Sequence, residues 1–173
     1  MKRLIISILT VFILFLLQTG IFRFLAFGNC VPNLLLIAVV SYGLMRGEHS
    51  GMITGFFCGL LIDVFYMDFI GFFALLYLYV GFGAGKLNYF YIKENYLLPL
   101  IATLLAGFTT NFVIYIVLYL LKGHLNFIDY LINVILGNVI YTLVAAVAIY
   151  PLMLLTENKI INRPGRKEET DAL

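Results

Sequence analysis

Charge is what this chain has least of. Only 12% of its 173 residues are Asp, Glu, Lys or Arg, about half the share of a soluble domain, while 63% are hydrophobic. That excludes a water-soluble core and places the chain in the membrane class. No polar stretch exceeds the eighteen or so residues after Leu155, which excludes a separate soluble domain. Tryptophan is missing altogether, so interfacial anchoring falls to Tyr and Phe, as at Tyr89, Phe90, Tyr91 and Tyr96. There are two cysteines, Cys30 and Cys58, which the apolar segments place at different depths, against a disulfide. The two histidines, His49 and His124, fall on opposite sides, so no zinc site assembles from them. Nucleophile–base pairs and paired carboxylates are also absent, and Gly81, Gly83, Gly85 and Lys86 do not spell a phosphate loop. Catalysis, metal or cofactor binding and nucleic-acid binding all lack a basis.

What is present is apolar length. Six segments are expected as helices: 4–22, 32–45, 50–67, 69–85, 97–121 and 127–155. Spanning takes about 20 residues, so the second is short and admits a re-entrant reading, whereas the last two are generous. Six spans with both ends in the cytoplasm put Lys2, Arg3, Arg46, Lys86, Lys93, Lys159, Arg163, Arg166 and Lys167 inside and only Arg23 and Lys122 outside. This asymmetry obeys the positive-inside rule. The first segment lacks a small-residue cleavage site and reads as an uncleaved anchor. Residues 161–173, with Pro164-Gly165 and mixed charges, read as a short cytoplasmic tail behind a transmembrane domain of residues 1–160.

Asp63 stands out as an acid within a segment otherwise fit for lipid. It follows Gly51, Gly55 and Gly59 at intervals of four, so the four positions share nearly one helical face. Glycines at that spacing admit a second helix closely, and a carboxylate at depth must face protein or water. A structural lock between helices is the favoured role for Asp63; a proton relay or ligand site is the sharper one. Asn33, after Pro32 at the start of the second segment, either bonds Asp63 or caps its own helix. Thr103, Gly107 and Asn111 make a stripe on the fifth segment, beside Ala102, Ala106 and Thr110. Asn133, Gly137 and Tyr141 do so on the sixth, beside Asn138, Thr142 and Ala145. These read as helix contacts before a solute cavity, with Asn111, Asn133 and Asn138 as interior polar candidates.

Pro32-Asn33-Leu34-Leu35-Leu36, the Arg46-Gly47 turn, Gly55-Phe56-Phe57-Cys58-Gly59-Leu60-Leu61-Ile62-Asp63 and Gly71 together resemble the rod shape-determining MreD family. The family pattern has Pro-Asp where this chain has Pro32-Asn33. The resemblance implies a non-catalytic subunit of the cell-elongation and peptidoglycan machinery in the bacterial cytoplasmic membrane. Its implied partners are an MreC-like protein, a RodA-like polymerase, a penicillin-binding transpeptidase and, indirectly, MreB filaments. It also implies an all-α integral membrane bundle of six transmembrane helices, similar to the membrane substrate-binding subunits of energy-coupling-factor transporters. A vitamin- or metal-transporter subunit of that kind is the alternative function.

Overall fold

The computed structural model describes residues 2–20, 31–67, 70–91, 96–120 and 130–161. Six α-helices account for most of them, and no strand occurs among the described residues. Helix α1 is Lys2–Thr19, α2 Leu34–Arg46, α3 Glu48–Tyr66 and α4 Phe72–Lys86, with a 3-10 turn over Leu87–Phe90. Helix α5, Leu97–Ile114, passes into a π-helical stretch, Tyr115–Leu120. A second π-helical stretch, Leu131–Leu136, leads into α6, Gly137–Ile161.

The organising element is the shortest helix. At 13 residues α2 is about 20 Å long, yet every residue from Leu34 to Leu44 is buried. A helix that is apolar all round suits either lipid or a protein interior, and here protein surrounds it. Helices α1, α3, α4, α5 and α6 all touch it. The arrangement is inside-out relative to a soluble protein, since large apolar side chains also cover the exterior. Ile8, Leu9 and Phe12 on α1, Phe57 and Phe65 on α3, and Ile140, Val144 and Val147 on α6 all point outward. Three helices are long and apolar enough to cross a membrane by length and composition: Glu48–Tyr66, Leu97–Val117 and Val134–Glu157.

Helix ends depart from the expected segments in two instructive places. Pro32 is not the first helical residue; α2 begins at Leu34 because Asn33 takes the capping position. The last helix does not stop near Leu155 but runs through Pro151 to Ile161. It thereby carries Glu157, only 6% exposed, against the bundle. Glu157 lies just beyond the segment expected to end at residue 155. Residues 127–129, expected to open the last segment, and 162–173 lie outside the described residues, as do Cys30 and His124.

Candidate functional site: a glycine seam with capped ends

Gly51, Gly55 and Gly59 all face α4, and the approach is backbone on backbone. A methyl group at Gly51 would stand 2.2 Å from the Gly81 carbonyl oxygen, at Gly55 2.1 Å from that of Tyr77, and at Gly59 2.1 Å from that of Phe73. Each step of four along α3 meets a step of four in the reverse direction along α4. The facing helix contributes its own glycines: a methyl at Gly81 would meet the Gly51 oxygen at 2.1 Å, and one at Gly85 the Glu48 Cα at 2.3 Å. At none of these five glycines does a Cβ fit. The groove offered by the three glycines is therefore filled from within the chain.

Asp63 occupies the fourth step, where α4 begins. Its side chain is fully buried and accepts three backbone N–H groups at 2.9 Å each: Gly71 and Ala74 on Oδ2, Phe73 on Oδ1. The first N–H groups of a helix have no intrahelical acceptor, and they carry the positive end of its dipole. A carboxylate from the neighbouring helix satisfies both needs. Gly71 holds φ at +119°, a left-handed backbone that a side chain would strain, which turns its N–H toward the carboxylate.

Asn33 does not bond Asp63. Its Oδ1 accepts the Leu36 N–H at 3.0 Å, capping α2, and its Nδ2 donates to the Tyr77 hydroxyl. Two residues from other helices complete that cap. Thr142 Oγ1 accepts the Asn33 N–H and Gln18 Oε1 the Leu35 N–H, both at 3.1 Å. Pro32 only precedes the cap. Tyr77 joins the two constructions, with its backbone on Gly55 and its hydroxyl on Asn33. The seam and the start of α2 are therefore one connected unit.

The other end of α2 is fastened differently. Arg46 Nε donates to Glu157 Oε1 at 3.0 Å and Nη2 to Oε2, a two-pronged ion pair. Its Nη1 reaches Ser7 on α1, and the guanidinium lies 4.5 Å from the centre of the Tyr42 ring. Asn88 in the 3-10 turn donates to the Leu44 carbonyl, one of the last in α2. Nearby, the hydroxyls of Tyr91 and Tyr150 are 2.7 Å apart, and burial raises the Tyr91 phenol above its ordinary range. Sequence reasoning missed Glu157, Gln18, Tyr77 and Asn88. They act on groups far away along the chain, and the only local hint was an acid among the last apolar residues.

Of the polar interior candidates, Asn111 and Asn138 do not join this site. Asn111 Nδ2 donates to the Gly107 carbonyl of its own helix at 2.8 Å, and Asn138 is half-buried on α6. The Asn133 side chain lies outside the described residues. Gly107 itself makes close contact, with Val139 of α6 and Leu36 of α2 at 3.5 and 3.8 Å from a methyl placed there.

The model of the family described as rod shape-determining protein MreD matches residues 1–160. The chain belongs to the MreD family. No curated protein and no solved structure matches it. MreD membership makes this a membrane protein of the rod-shape system, and the matched region contains the whole seam, both caps and the Arg46–Glu157 pair. In this MreD chain Asp63 thus fixes the start of α4, while Thr142 and Glu157 fix the two ends of α2.

Proposed function

We propose that this protein is a non-catalytic, six-span subunit of the bacterial cell-elongation complex in the cytoplasmic membrane. In this reading it binds an MreC-like protein and helps organise a RodA-like polymerase and its penicillin-binding transpeptidase, with MreB filaments coupled indirectly. Family membership over residues 1–160 carries the proposal. The positive-inside count supports an orientation with both termini and the Arg46 end in the cytoplasm, and the Asp63 end toward the outside. The geometry supports a rigid adaptor. Asp63 and Asn33 are engaged as caps, and Arg46 and Glu157 engage each other.

Depletion in a rod-shaped host tests this reading. Rod-to-sphere conversion, rescued by the intact gene, together with co-purification of an MreC-like single-span protein is the expected result. Normal rods on depletion, or a vitamin or metal co-purifying at one per chain in place of any elongation protein, overturns it.

A further inference from the structure

The four aromatic residues expected at a membrane surface are divided by the structure. Tyr91 and Tyr96 turn onto α6. The Tyr91 hydroxyl is 2.7 Å from that of Tyr150, and the Tyr96 and Tyr150 rings are 5.9 Å apart between centres. Tyr89 and Phe90, in the 3-10 turn, face away from the bundle. They are 89% and 66% exposed, and Tyr89 is the most exposed of the large hydrophobic residues described. Lys86, three residues before Tyr89, is also exposed, and in a 3-10 turn residues three apart share a side. Among the described residues no carboxylate pairs with Lys86, whose ammonium lies 4.6 Å from the centre of the Phe82 ring.

Depth identifies what these side chains meet. Asn88, between Lys86 and Tyr89, donates to the Leu44 carbonyl in the last turn of α2, so the turn is held level with the end of the central helix. The Tyr91–Tyr150 contact sets the same limit, since α6 continues eleven residues, roughly 16 Å, past Tyr150. The turn therefore lies beside the protein and not beyond it in open water. Its level is that of the Arg46–Glu157 pair, and charged side chains favour the edge of the hydrocarbon over its centre. Tyrosine, with an apolar body and a polar tip, suits that edge, and a lysine beside it suits an anionic headgroup.

We propose that Lys86, Tyr89 and Phe90 form a foot that inserts into the headgroup layer on the Arg46 side of the membrane, with Lys86 on the phosphate of an anionic phospholipid. The inference needs only residence in a membrane and is independent of the elongation role.

The absence of tryptophan makes the test direct. Tyr89→Trp places a lone indole on the foot of the full-length protein, reconstituted in vesicles of phosphatidylcholine and phosphatidylglycerol. Bromines near the lipid carbonyls should quench its emission about twofold more than bromines at the chain ends, and aqueous iodide should quench it little. Val144→Trp, outward-facing near the middle of the candidate span Val134–Glu157, should give the reverse depth order. Bromines carried only by phosphatidylglycerol should quench more than bromines carried only by phosphatidylcholine at equal mole fraction, and Lys86→Gln should remove that excess. Should Tyr89→Trp fail to fold, Phe90→Trp gives the same reading. In cells, a benzophenone amino acid at Phe90 should give an adduct of phospholipid mass. A water-like emission open to iodide, a chain-end quenching maximum, equal quenching by the two lipids, or benzophenone capture of a protein in place of lipid would each overturn the proposal.

Discussion

Helix α4 presents two opposite solutions to packing in lipid. Toward α3 it offers bare backbone, with Gly51, Gly55 and Gly59 so close that no Cβ fits. Toward α5 it leaves a laterally open apolar groove. Both faces carry glycine and alanine, so small residues alone do not say which is filled by protein. Register decides. Glycines facing glycines and carbonyls at matching steps close the first face. Gly83 faces no comparable partner, and the second stays open. In a bilayer, where lipid tails are as apolar as leucine, close van der Waals fit is a main source of helix attraction. The α3–α4 pair is therefore a rigid unit, and α5 is the element free to accept another apolar body beside α4.

The most severe break of this contrast is Gly55→Leu. Four carbon atoms would enter a space where even a methyl meets a carbonyl oxygen at 2.1 Å, and backbone on both sides cannot yield. Loss of folded protein, read as failure to accumulate and to give a monodisperse peak in detergent, is expected. A leucine at Gly83 should accumulate normally. Equal behaviour of the two would remove the distinction between the faces.

Next in size is Glu157→Ala. It strands a guanidinium that is largely buried, at a cost of about 3–5 kcal/mol, and should lower the unfolding midpoint in a denaturant titration. The paired replacement Arg46→Met with Glu157→Leu should recover most of that loss, because well-packed apolar residues often equal a buried ion pair. This sharpens the comparison by adding a second kind of fastening: charge at the Arg46 end beside backbone contact along the seam, against an open groove toward α5.

Asp63→Ala withdraws the acceptor from three N–H groups at the start of α4 and should destabilise by ~2–3 kcal/mol. Asp63→Asn keeps one acceptor oxygen and should lose less. Hydrogen exchange supplies the specific reading, with faster exchange at Phe73 and Ala74 while the Gly51–Gly81 crossing stays protected. Uniform acceleration across the molecule would mean that Asp63 does more than cap.

Much of this was legible along the chain, and the limits are physical. Six apolar segments correspond to the six helices because helix length and apolarity are local properties. A period of four over Gly51, Gly55, Gly59 and Asp63 exposes a shared face for the same reason. The identity of the helix filling that face is not local. The spacing of Gly81 and Gly85 before Lys86 does not name the helix they pack on; only α4 lying antiparallel to α3 does. Arg46 and Glu157 are 111 residues apart, and nothing near either one announces the other. Asn33 had two readings that sequence could not separate, because choosing between its own helix and Asp63 depends on where Tyr77 and Thr142 stand.

The finest form of the comparison uses two glycines on the same turn of α4. Gly81 and Gly83 are two residues apart and so point to nearly opposite sides of the helix. Glycine inside a helix costs roughly 0.5–1 kcal/mol relative to alanine through its greater freedom in the unfolded chain. At Gly83 an added methyl enters the groove without touching anything, so Gly83→Ala should stabilise by about that amount. At Gly81 the same methyl meets the Gly51 oxygen at 2.1 Å, and the clash should outweigh the entropy gained. One chemical change, moved by two positions, is thus expected to shift the thermal midpoint in opposite directions. Shifts of the same sign would show that the two faces of α4 are not packed differently after all.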